Sequence, residues 1–373
     1  MEIWVAEPDD MTSTACRFTV PALLLTLVTP VACQQRPAIG PSKAEEIHAV
    51  VRRVMERARI PGLTIAVAPE GGRIWSNGYG LADIENSVPA TAATVYRLGS
   101  ISKPITAVAA LQLAERGSLD LDAPVQKYVP GFPEKPWPIT SRQLLGHLGG
   151  IRHYNSVEEV NSTRHYEDLA APLAIFQDDP LVAEPGTKYS YTTYGYVLLG
   201  AVVEKASGAR FMDYLRENIF APAGMKRIQD DSVHAIIPHR ARGYRISKAG
   251  PVENCDLADT SNKIPGGGLS STAEDLVRFA LAVRNGKLLK PATIEEMFSR
   301  QRLKDGSRTD YGLGWNLLEV NGVQHVLHGG GQQGVATMLV MDRQRGLVVA
   351  VMSNLEGAPV GNLAMEILDA VRK

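Results

Sequence analysis

Ser100 and Lys103 stand three residues apart in Tyr96-Arg97-Leu98-Gly99-Ser100-Ile101-Ser102-Lys103-Pro104, at the start of an Ala- and Leu-rich segment of helical character. Three residues apart on a helix, two side chains share a face. A serine hydroxyl is a weak nucleophile and needs a base beside it. A lysine serves when burial or positive neighbours lower its pKa. The positive end of the helix dipole favours both the neutral amine and a developing oxyanion. Pro104 fits there, because a first-turn N–H has no intrahelical partner. Taken alone, Ser-x-x-Lys equally describes a solvated pair on an exposed helix end.

Two further groups add chemistry. Tyr191 lies in Pro185-Gly186-Thr187-Lys188-Tyr189-Ser190-Tyr191-Thr192-Thr193-Tyr194, just ahead of a helix. A tyrosine near an ammonium is pulled toward phenolate and can shuttle a proton; the plain alternative is an aromatic packed in a core. His328-Gly329-Gly330-Gly331 closes a strand. Glycines there admit a substrate backbone and leave an N–H for an oxyanion, or simply make a turn.

The elements that must hold these groups follow from periodicity. Residues 43–59 place Ile47, Val50, Val51, Val54 and Met55 on one helical face, stopped by Pro61-Gly62. Leu63–Ala68 and Arg73–Tyr79 read as strands joined at Glu70-Gly71-Gly72. Helices are expected over 100–116 and 194–206, and a capping box at Ser271-Thr272-Ala273-Glu274 opens another to Arg284. Residues 120–230 are helical and loop-rich. The last ninety or so turn β-rich, with strands at 312–320, 323–328, 335–341 and 347–352, then a helix at 359–371. Strands at both chain ends with helices between predict an α+β sandwich: one sheet assembled from both termini, flanked by helices, with a helical region inserted.

Composition excludes several classes. Of 373 residues 45% are hydrophobic and 21% charged, an ordinary globular balance. Lys plus Arg is 39 and Asp plus Glu 40, for a formal charge of −1 without a basic run, so nucleic acid is not an expected partner. Cys16, Cys33 and Cys255 make no disulfide framework, and no His-Glu-x-x-His or Cys-x-x-Cys spacing suggests a metal.

Residues 18–32 are apolar but shorter than the roughly 20 residues of a membrane span. They suit a secretory signal, with translation expected to start at Met11. Cys33 after Val31-Ala32 resembles a bacterial lipoprotein cleavage site. The expected division is a leader at 1–33, a linker at 34–42 and one domain at 43–372. The expected destination is export, to the periplasm or to a membrane through a lipidated Cys33.

In order and in detail, these segments resemble the serine β-lactamase and penicillin-binding-protein superfamily, in particular its class C branch and the mitochondrial β-lactamase-like members. Leu119-Asp120-Leu121-Asp122-Ala123-Pro124-Val125, His147-Leu148-Gly149-Gly150-Ile151-Arg152-His153-Tyr154 and Pro265-Gly266-Gly267-Gly268-Leu269-Ser270-Ser271-Thr272 also resemble family segments. The resemblance implies Ser100 as acylated nucleophile, Lys103 as its proton acceptor and Tyr191 as proton relay. It implies an oxyanion hole from the N–H groups of Ser100 and Gly331, and substrate contacts at Thr193, His328, Gly329 and Gly330. It implies no cofactor and no metal.

Two departures bear on substrate. Thr193 stands where a class C lactamase has Asn, and His328-Gly329-Gly330 replaces Lys-Thr-Gly. The amide, charge and hydroxyl that hold a β-lactam are absent, with a partly protonated His328 as a weaker substitute. Losing such donors costs orders of magnitude in discrimination. The expected activity is acyl-enzyme hydrolysis of an amide or peptide, such as a peptide with D-residues, or of an ester. A small-ester carboxylesterase, a β-lactamase and a non-catalytic binding or filament-forming scaffold remain as alternatives, and homo-oligomers as a partner mode. His147 and His153 are read as structural, Cys255 as inert, Trp137 as packing a loop, and Tyr244 as either core or substrate wall.

Overall fold

A strand buried on both faces needs an unbroken run of apolar or small residues, and Gly-Leu-Thr-Ile-Ala-Val-Ala is such a run. In the computed structural model, which describes residues 39–372, it forms β1 (Gly62–Ala68), buried along its whole length. Before it comes α1 (Pro41–Ala58), and after it β2 (Trp75–Asp83) and β3 (Val88–Pro89). A short strand Tyr96–Arg97 and a 3-10 turn Gly99–Ile101 lead into α2 (Ser102–Glu115). Farther on lie α3 (Thr193–Ser207) and α4 (Ala273–Arg284). The chain closes with β4 (Asn316–Val320), β5 (Val323–Gln332), β6 (Val335–Asp342), β7 (Val348–Ser353) and α5 (Val360–Arg372).

The seven strands form one sheet in the order β3-β2-β1-β7-β6-β5-β4, every neighbour antiparallel. The first and last strands of the chain's two β regions meet at β1 and β7, where Leu63 faces Ser353. The sheet is thus built from both ends, as the pattern of strands predicts. Alternation then sorts side chains between two layers. On β7, Val348, Ala350 and Met352 pack with Leu276, Phe279 and Val283 of α4. Val349 and Val351 pack on the other face with Ile47 and Val51 of α1 and Leu363 and Ile367 of α5. Between α2 and α4 the chain makes the expected helical region, including Ser141–Leu145, Val157–Val160, Phe211–Leu215 and a π turn at Arg216–Phe220.

Several boundaries differ from the sequence reading, each for a local reason. Helix α1 starts at Pro41, inside the expected linker, because proline is preorganised for the first helical position. The cap of α4 is Thr272, whose hydroxyl accepts from Asp275 N at 3.2 Å; Ser271 is occupied in a short strand, Leu269–Ser271. Strand β4 begins at Asn316, since 312–315 close a turn with Gly312 N donating to Trp315 O at 2.8 Å. Trp137 is 43% exposed rather than packed. The leader at 1–33, with Cys33 and the first linker residues, lies outside the described residues.

Candidate active site

Ser100 sits in the 3-10 turn at the entrance to α2, with Lys103 one turn along. The turn is locked from below: Ser102 Oγ donates to Gly99 O (2.9 Å) and accepts from Leu269 N (3.2 Å). Lys103 is fully buried. Its Nζ lies 3.0 Å from Ser100 Oγ, and donates to Thr193 Oγ1 at 3.1 Å and Gly266 O at 2.7 Å. Burial, and then the charge of Lys263, hold its pKa well below the usual lysine value. A neutral amine has two N–H groups and one lone pair. The two other contacts take the N–H groups, which leaves the lone pair for the Ser100 proton.

Lys263 has no counterpart in the sequence reading. It is itself buried, donates to Val160 O at 3.0 Å and lies over the Tyr154 ring at 5.3 Å. Burial brings it down to about 8. Its only sequence signal is its place two residues before Pro265-Gly266-Gly267-Gly268.

The Tyr191 ring centre lies 4.8 Å from Lys103 Nζ, and Ser100 is among the groups that act on its hydroxyl. Burial pushes this phenol well above the ordinary tyrosine range. The expected drift toward phenolate is therefore not the resting state: low polarity disfavours both charges, favouring the free amine and the protonated phenol alike. Two histidines set the position of this segment. His147 Nδ1 accepts from Thr192 N and His153 Nδ1 from Thr193 N, each at 3.2 Å. Thr192 in turn caps α3, its hydroxyl accepting from Gly195 N at 3.2 Å. Both histidines thus act structurally, as read from the sequence. The His147 ring stands 4.3 Å from that of Tyr191.

His328 is buried and brought down to about 3, first by burial and then by Lys103. It is neutral, contrary to the partial charge expected of it. Its Nδ1 donates to Gly329 O at 2.7 Å, so Nε2 accepts from the Tyr311 hydroxyl at 3.0 Å. Tyr311 is a second residue that sequence reasoning missed.

The neighbouring glycines differ from one another. A Cβ on Gly330 would meet Leu98 O at 2.0 Å and Thr337 Oγ1 at 2.3 Å, so its bareness lets β5 close on the Ser100 turn. Gly329 has room, with Met338 Cε at 3.4 Å, and Gly331 has open space. The Gly331 nitrogen comes within 2.8 Å of where a Cβ on Gly99 would stand, and Gly99 has φ 54°. This approach brings the Gly331 nitrogen against the turn that carries Ser100, where the first N–H groups of a helical turn lack partners within it. Arg97 braces the arrangement from behind, donating to Asp231 (2.7 Å), Ala258 O (3.1 Å) and Gln333 O (3.3 Å).

Tyr244 proves to be core: it is buried, and its hydroxyl accepts from Ile84 N at 2.8 Å. Burial pushes the Cys255 thiol up, which keeps it unreactive.

A serine beside a buried lysine, between a seven-stranded antiparallel sheet and a helical region, defines a serine hydrolase of the β-lactamase/transpeptidase-like fold. The chain belongs to the beta-lactamase family, which matches residues 47–372. These serine hydrolases act on amides or esters through an acyl-enzyme. Among relatives, the human mitochondrial serine beta-lactamase-like protein LACTB is 28% identical, over 87% of this chain and 78% of its own. A D-amino acid amidase from Ochrobactrum anthropi superposes with TM-score 0.78 at 25% identity, over 89% of this chain and 99% of its own. An octameric penicillin-binding protein homologue from Pyrococcus abyssi gives TM-score 0.77 at 26% identity, over 88% and 77%.

Proposed function

We propose that the chain is a class C-type hydrolase that cleaves amide bonds of peptide type, with D-configured residues as the favoured substrates. The observation that carries this reading is the fully buried Lys103 amine 3.0 Å from Ser100 Oγ. Ser100 Oγ attacks the carbonyl carbon while its proton passes to Lys103. The N–H groups of Ser100 and Gly331 receive the oxyanion. As the C–N bond breaks, the Tyr191 hydroxyl protonates the leaving amine and takes back a proton from Lys103. Water then releases the acid by the reverse relay. Thr193 fixes Lys103, and His328, Gly329 and Gly330 form the strand along which substrate lies.

The D-amino acid amidase neighbour supports the amide reading. Thr193 and the neutral His328 argue against β-lactams, since neither supplies an amide or a cation to the substrate. A small-ester carboxylesterase is the second reading. We also propose export with anchoring through Cys33, and assembly into homo-oligomers, the latter supported by the octameric neighbour.

Intact-mass labelling with a fluorophosphonate tests the enzyme reading. One adduct on the native protein and none on Ser100→Ala is expected; no adduct on either would leave only the filament-forming or binding scaffold. Relative kcat/KM on a D-amino acid amide and its matched methyl ester then separates amidase from esterase.

A further inference from the structure

Three segments distant in sequence converge away from Ser100. His165 and Asp259 lie 94 residues apart, yet His165 Nδ1 and Asp259 Oδ2 are separated by 2.8 Å. The His234 ring stands edge-on to that of His165, with centres 4.8 Å apart. One ring nitrogen from each histidine and one Asp259 oxygen all fall within 4.8 Å of one another. We infer that His165, His234 and Asp259 form a binding site for a borderline transition metal, with zinc as the fitting ion.

The donor chemistry suits that ion. Two neutral imidazoles and a carboxylate are a zinc set, with a fourth position left for water. Tetrahedral bonds of about 2.0–2.1 Å place ligand atoms roughly 3.3 Å apart. The Asp259–His165 spacing is near that already, so closure falls to the exposed His234. Asp259 is the fixed member: it is 4% exposed, its Oδ1 accepts from Ser261 N (2.9 Å), and its own N donates to Ser162 O (2.8 Å). Tyr166 N donates to Ser261 Oγ at 2.9 Å, which pins the segment bearing His165 to the same turn. His234 is presented by a loop folded on Ser232 Oγ, which accepts from the N–H groups of His234 and Ala235 at 3.2 Å each. The adjoining cavity of about 320 Å³ carries Glu167, Asp168, Asp230 and Asp231 against Arg210 and Arg216. Its acidic balance draws cations.

The position gives such an ion a structural consequence. Asp259 opens the stretch that continues through Lys263 to Gly266, whose carbonyl takes the Lys103 N–H. An ion held there ties the segment around His165 and the loop around His234 to this wall of the site. A plain His165–Asp259 ion pair would need only two of the three residues, so His234 discriminates.

The test is calorimetric titration of the whole chelator-stripped protein with zinc chloride, on native protein, His234→Ala and His165→Ala, with thermal melts in parallel. The expected result is one zinc per chain with micromolar Kd, weakened at least tenfold in both variants. A zinc-dependent rise in Tm should appear in the native protein and vanish in His234→Ala. Fluorophosphonate labelling of Ser100 and the zinc-free melts control for folding of each variant. No binding by native protein up to 100 µM zinc, or undiminished binding by His234→Ala, would overturn the inference.

Discussion

The two faces of the central sheet carry separate hydrophobic cores and do different work. Toward α1 and α5 the layer is almost wholly aliphatic: Val349 and Val351 against Ile47, Val51, Leu363 and Ile367. Toward α2 and α3 the interior also holds Lys103, His147, Thr193, Lys263 and His328. Burying a charge is costly, so these groups neutralise or find partners. Every shift of this set for which a cause is known runs the same way: Lys103, Lys263, His147 and His328 all lose proton affinity to burial first. One face therefore supplies stability, and the other holds a lysine whose burial favours the free base.

Five substitutions would break or sharpen that contrast. Lys103→Met keeps length and apolar bulk but removes the base; acylation of Ser100 should fall by about a thousandfold or more, measured as the rate of fluorophosphonate labelling. If labelling persists at the native rate, the reactive face has another base. The adjacent glycines provide the next test. Gly330→Ala should cost about a hundredfold in kcat/KM, because β5 must move off Leu98 O and a displacement near 1 Å misplaces the oxyanion donors. Gly331→Ala has open space and should stay within a few-fold. Equal losses at both positions would remove the packing argument.

On the aliphatic face, Ile367→Ala should destabilise by about 2–5 kcal/mol while kcat holds near native at a temperature below the lowered Tm. A large fall in kcat would show that the faces are coupled.

The smallest effect is electrostatic. Lys263 lowers the Lys103 pKa, so removing its charge in Lys263→Met makes the Lys103 ammonium easier to form and raises that pKa. The acid limb of kcat/KM, where Lys103 takes a proton, should move to higher pH by less than about one unit. Val160 O keeps a donor in Gln333 Nε2, at 3.1 Å, so a change in pH profile without a change in Tm separates charge from packing. An unmoved limb would place Lys263 outside the proton balance.

Much of the site is legible in the chain because it is local. Ser100 and Lys103 are one helical turn apart, Tyr191 and Thr193 straddle a helix cap, and the glycines run consecutively along one strand. The sheet is legible too, since short apolar runs and the grouping of strands at both ends leave few ways to assemble it. Lys263 and Tyr311 were not legible: each acts through a partner far along the chain, Lys263 on Lys103 and Tyr311 on His328. The cap of α4 failed by one residue because Ser271 is claimed by a short strand pairing with Tyr96, a non-local bond invisible to a capping pattern.

The sequence by itself determined the identity and order of the reacting groups and the kind of sheet that carries them, because spacing and periodicity are properties of the chain. Only the tertiary structure decided their protonation: His328 reads as partly charged and Tyr191 as drawn toward phenolate until burial is known, and burial is a property of the whole fold. The same holds for His165, His234 and Asp259, which become neighbours only when three remote segments close on one another.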